Sequence, residues 1–128
     1  MTSSRVAWVG RFSKALTAAA LALVAQAVAA HAFLDHATPR VGSTVHGAPG
    51  EVRVWFTEEL EPAFSTLRVL DKDGKQVDRR DKKIDPRDRL QMSVSLPPLA
   101  PGTYRVQWRA LSVDTHVTEG DFTFVVAP

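Results

Sequence analysis

The chain has 128 residues, no cysteine, and 16 Lys plus Arg against 14 Asp plus Glu. Arg5, Arg11 and Lys14 are its only charges before His31, and taking these three from the 16 leaves 13 basic against 14 acidic residues on the remainder, close to −1 rather than +2. A strongly basic nucleic-acid binder is thereby excluded, because neutralising phosphates needs a concentrated positive surface on the folded part, and without cysteine there is neither a disulfide framework nor a thiolate metal site.

Residues 1–30 read as a secretory signal peptide: a positive stretch ending at Lys14, an apolar run from Ala15 to Ala30, and small residues at the junction. The run is short beside the roughly 20 apolar residues of a membrane span, and Thr17 and Gln26 interrupt it. Cleavage is therefore expected, leaving no stable membrane anchor and an exported domain at 31–128. Two cuts satisfy the small-residue rule, after Ala29 or after Ala30, and only the second leaves His31 as the new N-terminus.

From His31 onward the pattern has period two, interrupted by turn residues, which predicts an all-β domain. His36 shares the parity of Ala32 and Leu34, so it is expected to point inward with its ring on backbone groups, or else to stand near a metal; His46 falls in a turn-rich stretch as a solvated loop residue. Val52, Val54 and Phe56 alternate with Arg53, Trp55 and Thr57, putting Trp55 on the exposed side. Leu67 to Leu70 forms a further strand, closed by a turn at Lys72-Asp73-Gly74. The charge-rich stretch Asp71 to Arg89 offers only Val77 and Ile84 as sizeable apolar residues and is expected to be a solvated loop or hairpin. Leu90, Met92, Val94 and Leu96 then give one buried face, Tyr104, Val106, Trp108 and Ala110 another, and Phe122, Phe124 and Val126 a last one. About seven strands in a hundred residues suggest an Ig-like or Greek-key β-barrel or sandwich.

Chemistry concentrates on two places. If cleavage frees His31, its α-amine and ring can chelate one metal together. In an extended segment Asp114 and His116 project to the same face, giving a carboxylate and an imidazole aimed at one point. These three nitrogens and one oxygen, without thiolate or thioether, suit Cu(II) better than Zn(II) or Cu(I). The same Asp-x-His spacing also fits a structural pair, the ring hydrogen-bonded and the Asp capping a turn. Arg109 either donates to Asp114 or faces solvent, and Met92, on the apolar side of its strand, is expected to pack in the core.

The sequence resembles the CopC-like periplasmic copper-binding proteins. The resemblance runs from His31-Ala32-Phe33-Leu34 through Thr38-Pro39, Gly42-Ser43, Phe56 to Leu60 and Gly102 to Val106, and is most specific in the block Trp108 to His116, followed by Gly120 and Phe122 to Phe124. It implies a Greek-key β-barrel that binds one Cu(II) ion through His31, Asp114 and His116, with Glu58 only a candidate for a weak or outer ligand. Family members with a Cu(I) site carry a Met-rich middle segment; here Met92 is the only Met after Met1, so a Cu(II)-only form is expected. The implied role is copper resistance and homeostasis in the periplasm, as a monomeric carrier or buffer that passes copper to an inner-membrane transporter of the CopD type, not as an enzyme. A terminal His with a second His also resembles the brace of copper-dependent oxidative enzymes, which is the alternative. A structural β-module without metal is the third reading.

Overall fold

In the computed structural model, which describes residues 31–128, the period-two segments become seven strands in two sheets. They are β1 (Leu34–Thr38), β2 (Thr44–Val45), β3 (Glu51–Phe56), β4 (Thr66–Leu70), β5 (Gln91–Ser95), β6 (Gly102–Leu111) and β7 (Val117–Val126), with a 3-10 turn at Pro62–Phe64. The first sheet runs β1-β3-β5 and the second β2-β7-β6-β4; every pairing is antiparallel except β2 with β7. The signal peptide and both candidate cuts lie outside the described residues.

Alternation places the core as expected: Val52, Val54 and Phe56 from β3, Met92 and Val94 from β5, Leu67 and Val69 from β4, Tyr104, Val106 and Ala110 from β6, and Phe122, Phe124 and Val126 from β7 are all buried between the sheets. Phe124 and Met92 have no solvent exposure, so Met92 is a packing residue. Trp108 shares the inward parity but is only half-buried, its ring set edge-on to Phe56 at 5.1 Å. Leu90 is the exception on its strand: it precedes β5, closes the Asp88 turn and is exposed.

His36 corrects the inward expectation. Between Leu34 and His36 the register advances two residues on β1 for one on β3, so His36 pairs with Trp55 and Ala37 with Val54. Such a bulge reverses the parity of everything beyond it. Ala37 is therefore buried, and His36 lies exposed on the outer face, stacked on Trp55 at 4.3 Å with its Nδ1 2.6 Å from Asp35 Oδ2.

The charge-rich stretch is not a free loop either. Its backbone pairs first with β4, where Val77 N–H donates to Val69 O (2.8 Å), and then with β5, where Arg79 N–H donates to Ser95 O and Lys83 exchanges two hydrogen bonds with Ser93. Its carboxylates bend back onto backbone N–H groups: Asp78, buried, accepts from Val69 and Arg80, and Asp81 accepts from Ser95. Lys82 Nζ reaches the carbonyls of Pro62 and Ser65, and partial burial lowers its pKa. With those groups satisfied, Val77 and Ile84 can pack against the core.

Candidate metal centre

At one end of the sandwich three segments meet: residues 31–33, the loop after β3, and the turn joining β6 to β7. The turn is built on Ser112, which is fully buried. Its N–H donates to His116 O (3.0 Å), Thr115 N–H returns to Ser112 O (2.9 Å), and Thr115 takes φ +73 to close the turn. The Ser112 hydroxyl donates to Asp114 Oδ1 and accepts from His116 N–H (3.3 Å). Asp114 and His116 thus converge, Oδ2 to Nδ1 3.4 Å, by way of a tight turn and not by the extended geometry expected from their spacing.

The Ser112 hydroxyl is the chief cause that holds the Asp114 carboxyl below the usual carboxylate value of 3.8; desolvation opposes it, and smaller contributions from His116 add to the lowering. Both side chains at the turn remain exposed.

The loop after β3 fixes this turn to the first sheet. Glu61 N–H donates to Leu111 O (2.8 Å), Val113 N–H to Glu59 O (3.1 Å), and the fully buried Leu60 forms a bridge with Ser112. Thr57, at the start of the loop, holds residues 31–33: its hydroxyl accepts from Phe33 N–H (3.0 Å) and donates to His31 O (3.3 Å). From the second sheet the Thr118 hydroxyl donates to Ala32 O (2.5 Å). The result sets the His31 ring against the His116 ring, centroids 4.5 Å apart and planes at 71°. Thr57, Ser112 and Thr118 went unread in the sequence; for Ser112 alone there was a local signal, a hydroxyl two residues before an Asp at a turn.

Of the sequence candidates, His31, Asp114 and His116 are brought together. Glu58 follows Thr57 on the same loop, exposed, with no side-chain hydrogen bond or ion pair among the described residues. Arg109 resolves toward Glu119, 3.1 Å across the strands, and away from Asp114. His36 belongs to the outer face of the first sheet, and His46 is exposed beyond β2. Among the described residues no three His, Asp or Glu side chains already stand in ligating positions. In the full chain Ala30 precedes His31, so the His31 nitrogen is an amide, and His116 Nδ1 is turned to Asp114.

An open depression of about 680 Å³ lies elsewhere, on the outer face of the second sheet between Thr66, Arg68, Gln107, Arg109, Glu119 and Asp121. Within it Arg109 pairs with Glu119 and Arg68 with Gln107, Asp121 pairs with Arg105 beside it, and it holds none of the three converging residues.

Comparison with known proteins identifies the family and the fold. The CopC domain family matches residues 34–127. The chain is 34% identical to copper resistance protein C of Escherichia coli over 110 residues, covering 80% of this chain and 86% of that protein. It is 35% identical to protein YobA of Escherichia coli K12 over 113 residues, covering 88% and 91%. Among solved structures, CopC from Methylosinus trichosporium OB3b superposes with a TM-score of 0.73 at 36% identity, over 77% of this chain and 95% of that one. PcoC, a methionine-rich copper resistance protein from Escherichia coli, gives 0.64 at 36% identity over 76% and 99%. With its seven strands, its two-sheet order and the family match over nearly the whole described domain, the chain belongs to the CopC domain family.

Proposed function

We propose that the exported domain binds one Cu(II) ion through the α-amine and ring of His31, the Asp114 carboxylate and the His116 ring, and serves in the periplasm as a carrier or buffer in copper resistance. Delivery to an inner-membrane transporter of the CopD type completes the reading. The observation that carries it is the approach to 4.5 Å of two imidazoles far apart in the sequence, with the ionised Asp114 beside one of them. Copper as the cargo follows from the names of the relatives, copper resistance protein C and PcoC.

The donor set selects the oxidation state. Amine, imidazole and carboxylate favour Cu(II), whereas Cu(I) prefers thioether and thiolate. PcoC is described as methionine-rich; here Met92 is the only methionine in the described residues, and it is buried in the core away from solvent. An anionic Asp114 stabilises the oxidised ion further, which supports carriage over oxidative chemistry.

Titration of the protein beginning at His31 with Cu(II), followed by tryptophan fluorescence and electron-spin resonance, tests the assignment. His116→Ala should weaken binding by orders of magnitude and change the spectrum, and His46→Ala should change neither. Equal, small effects at the two positions would refute it.

A further inference from the structure

We propose that Thr118 and Thr57 are positioning residues that set the His31 end of the chain against His116, one hydroxyl supplied by each sheet. The proposal rests on the copper reading above. Residues 31–33 precede β1 and lie outside both sheets. A chain end without such pairing frays unless it is tied down. Four hydrogen bonds tie this one: Thr118 Oγ1 to Ala32 O (2.5 Å), Phe33 N–H to Thr57 Oγ1 (3.0 Å), Thr57 Oγ1 to His31 O (3.3 Å), and Thr57 N–H to Phe33 O (2.9 Å).

The placement of these ties matters more than their number. Thr57 directly follows β3 in the first sheet, and Thr118 stands on β7 in the second, two residues from His116. The segment is therefore fastened on both sides of the sandwich opening, and the tie on one side shares a strand end with the second imidazole. Apolar burial does not do this work. Only the Ala32 methyl is taken into the core, while Phe33, the one large apolar side chain of the segment, stays 58% exposed beside His31. A segment that merely plugged the end of the sandwich would bury Phe33 instead.

The ties hold the backbone of a residue whose ring and amine must both meet one ion. Groups that orient a ligand without touching the metal commonly change affinity by about 10- to 100-fold when removed. Valine in place of threonine keeps the shape and strand preference but cannot donate a proton to a carbonyl.

The experiment uses the chain beginning at His31, which contains both sheets and the whole core, and compares wild type with Thr118→Val, Thr118→Ser, Thr57→Val and His31→Ala. Each is titrated with Cu(II) alone against a competing chelator, and the electron-spin spectrum is recorded at saturation. Thr118→Val should bind about 10- to 100-fold more weakly and show a mixture of the wild-type and His31→Ala spectra, and Thr118→Ser should restore both affinity and spectrum. Thr57→Val should act in the same direction from the other sheet, and it alone decides the matter if Thr118→Val does not unfold cooperatively. A valine variant that melts lower yet keeps wild-type affinity and a single wild-type spectrum, while His31→Ala loses copper, would overturn the positioning role and leave the copper site standing. Wild-type binding by His31→Ala would overturn both.

Discussion

Gly120 on β7 lies directly across from Trp108 on β6, so close that a Cβ at Gly120 would stand 2.4 Å from Trp108 Cζ2. The indole crosses its neighbouring strand at the one place where that strand has no side chain. Its Nε1 is buried without a hydrogen-bond partner, so packing and not polar pairing holds it. Gly120→Ala must push the ring off Phe56, and overpacking of this kind costs about 1–3 kcal/mol. A lowered melting temperature with a changed Trp108 emission is the expected result; unchanged values of both would show that the ring can shift freely.

Asp78 gives a second test of stability. Its carboxylate accepts from the Val69 and Arg80 N–H groups and from Gln76 Nε2 while itself buried. Asp78→Ala strands those donors, at about 1–3 kcal/mol for a buried unsatisfied group. Hydrogen exchange should accelerate across residues 76–83 and at Val69 before it does so in β6 and β7.

The turn at Ser112 predicts a pH dependence. Asp114 is held below its ordinary 3.8 chiefly by the Ser112 hydroxyl. A carboxyl depressed on folding contributes stability that is fully present above its unfolded value and is lost as pH falls through its folded value. In Ser112→Ala the folded value moves back up toward 3.8, so the contribution is smaller and its loss is complete at a higher pH. A carbon-13 titration of the Asp114 carboxyl should show the rise, and Cu(II) affinity should fall about 10- to 100-fold, since orientation of the ligand is lost as well.

The proposed chelate at His31 requires a free α-amine on that residue. A free α-amine has a pKa of about 8, so the metal must displace a proton near neutrality and binding should strengthen as pH rises toward that value. Adding one Gly before His31 should lower Cu(II) affinity, alter the ligand field and remove that part of the pH dependence. Equally tight binding by the extended form would require the site to be rebuilt without the amine.

Reduction should release the ion. Ascorbate added to the copper-loaded protein in the presence of a Cu(I) chelator should strip the metal quickly, because among the described residues the one thioether, Met92, is buried in the core. Retention of Cu(I) against the chelator would reveal a soft site.

Strand by strand, the alternation of Val52, Val54 and Phe56 or of Phe122, Phe124 and Val126 carried the fold, because a face buried in a sandwich leaves a period-two trace that survives any context. His36 escaped that logic because one inserted residue, invisible in composition, reversed the parity. Asp114 and His116 were paired from their spacing, yet what joins them is a turn around Ser112 with Thr115 at positive φ. His31 stands out in the sequence only through the apolar run before it and the family resemblance. Thr57 and Thr118 could not be read at all, since each acts on a residue far away in the chain and nothing local distinguishes their hydroxyls from those of other strand threonines.

The path of residues 76–83 along β4 and then β5 has a consequence for the protein at high concentration. A sheet edge with free N–H and C=O groups is a template on which a second copy can add a strand. Along that side both templates are already occupied by the chain's own backbone, at Val69 and at Ser93 and Ser95. On the other side β1 is bulged and β2 is only two residues long, two further features that discourage edge-to-edge addition. Release of the charged segment, as in Asp78→Ala, would therefore do more than lower the melting point: it would open the β4 edge to self-association, visible as light scattering that grows with protein concentration.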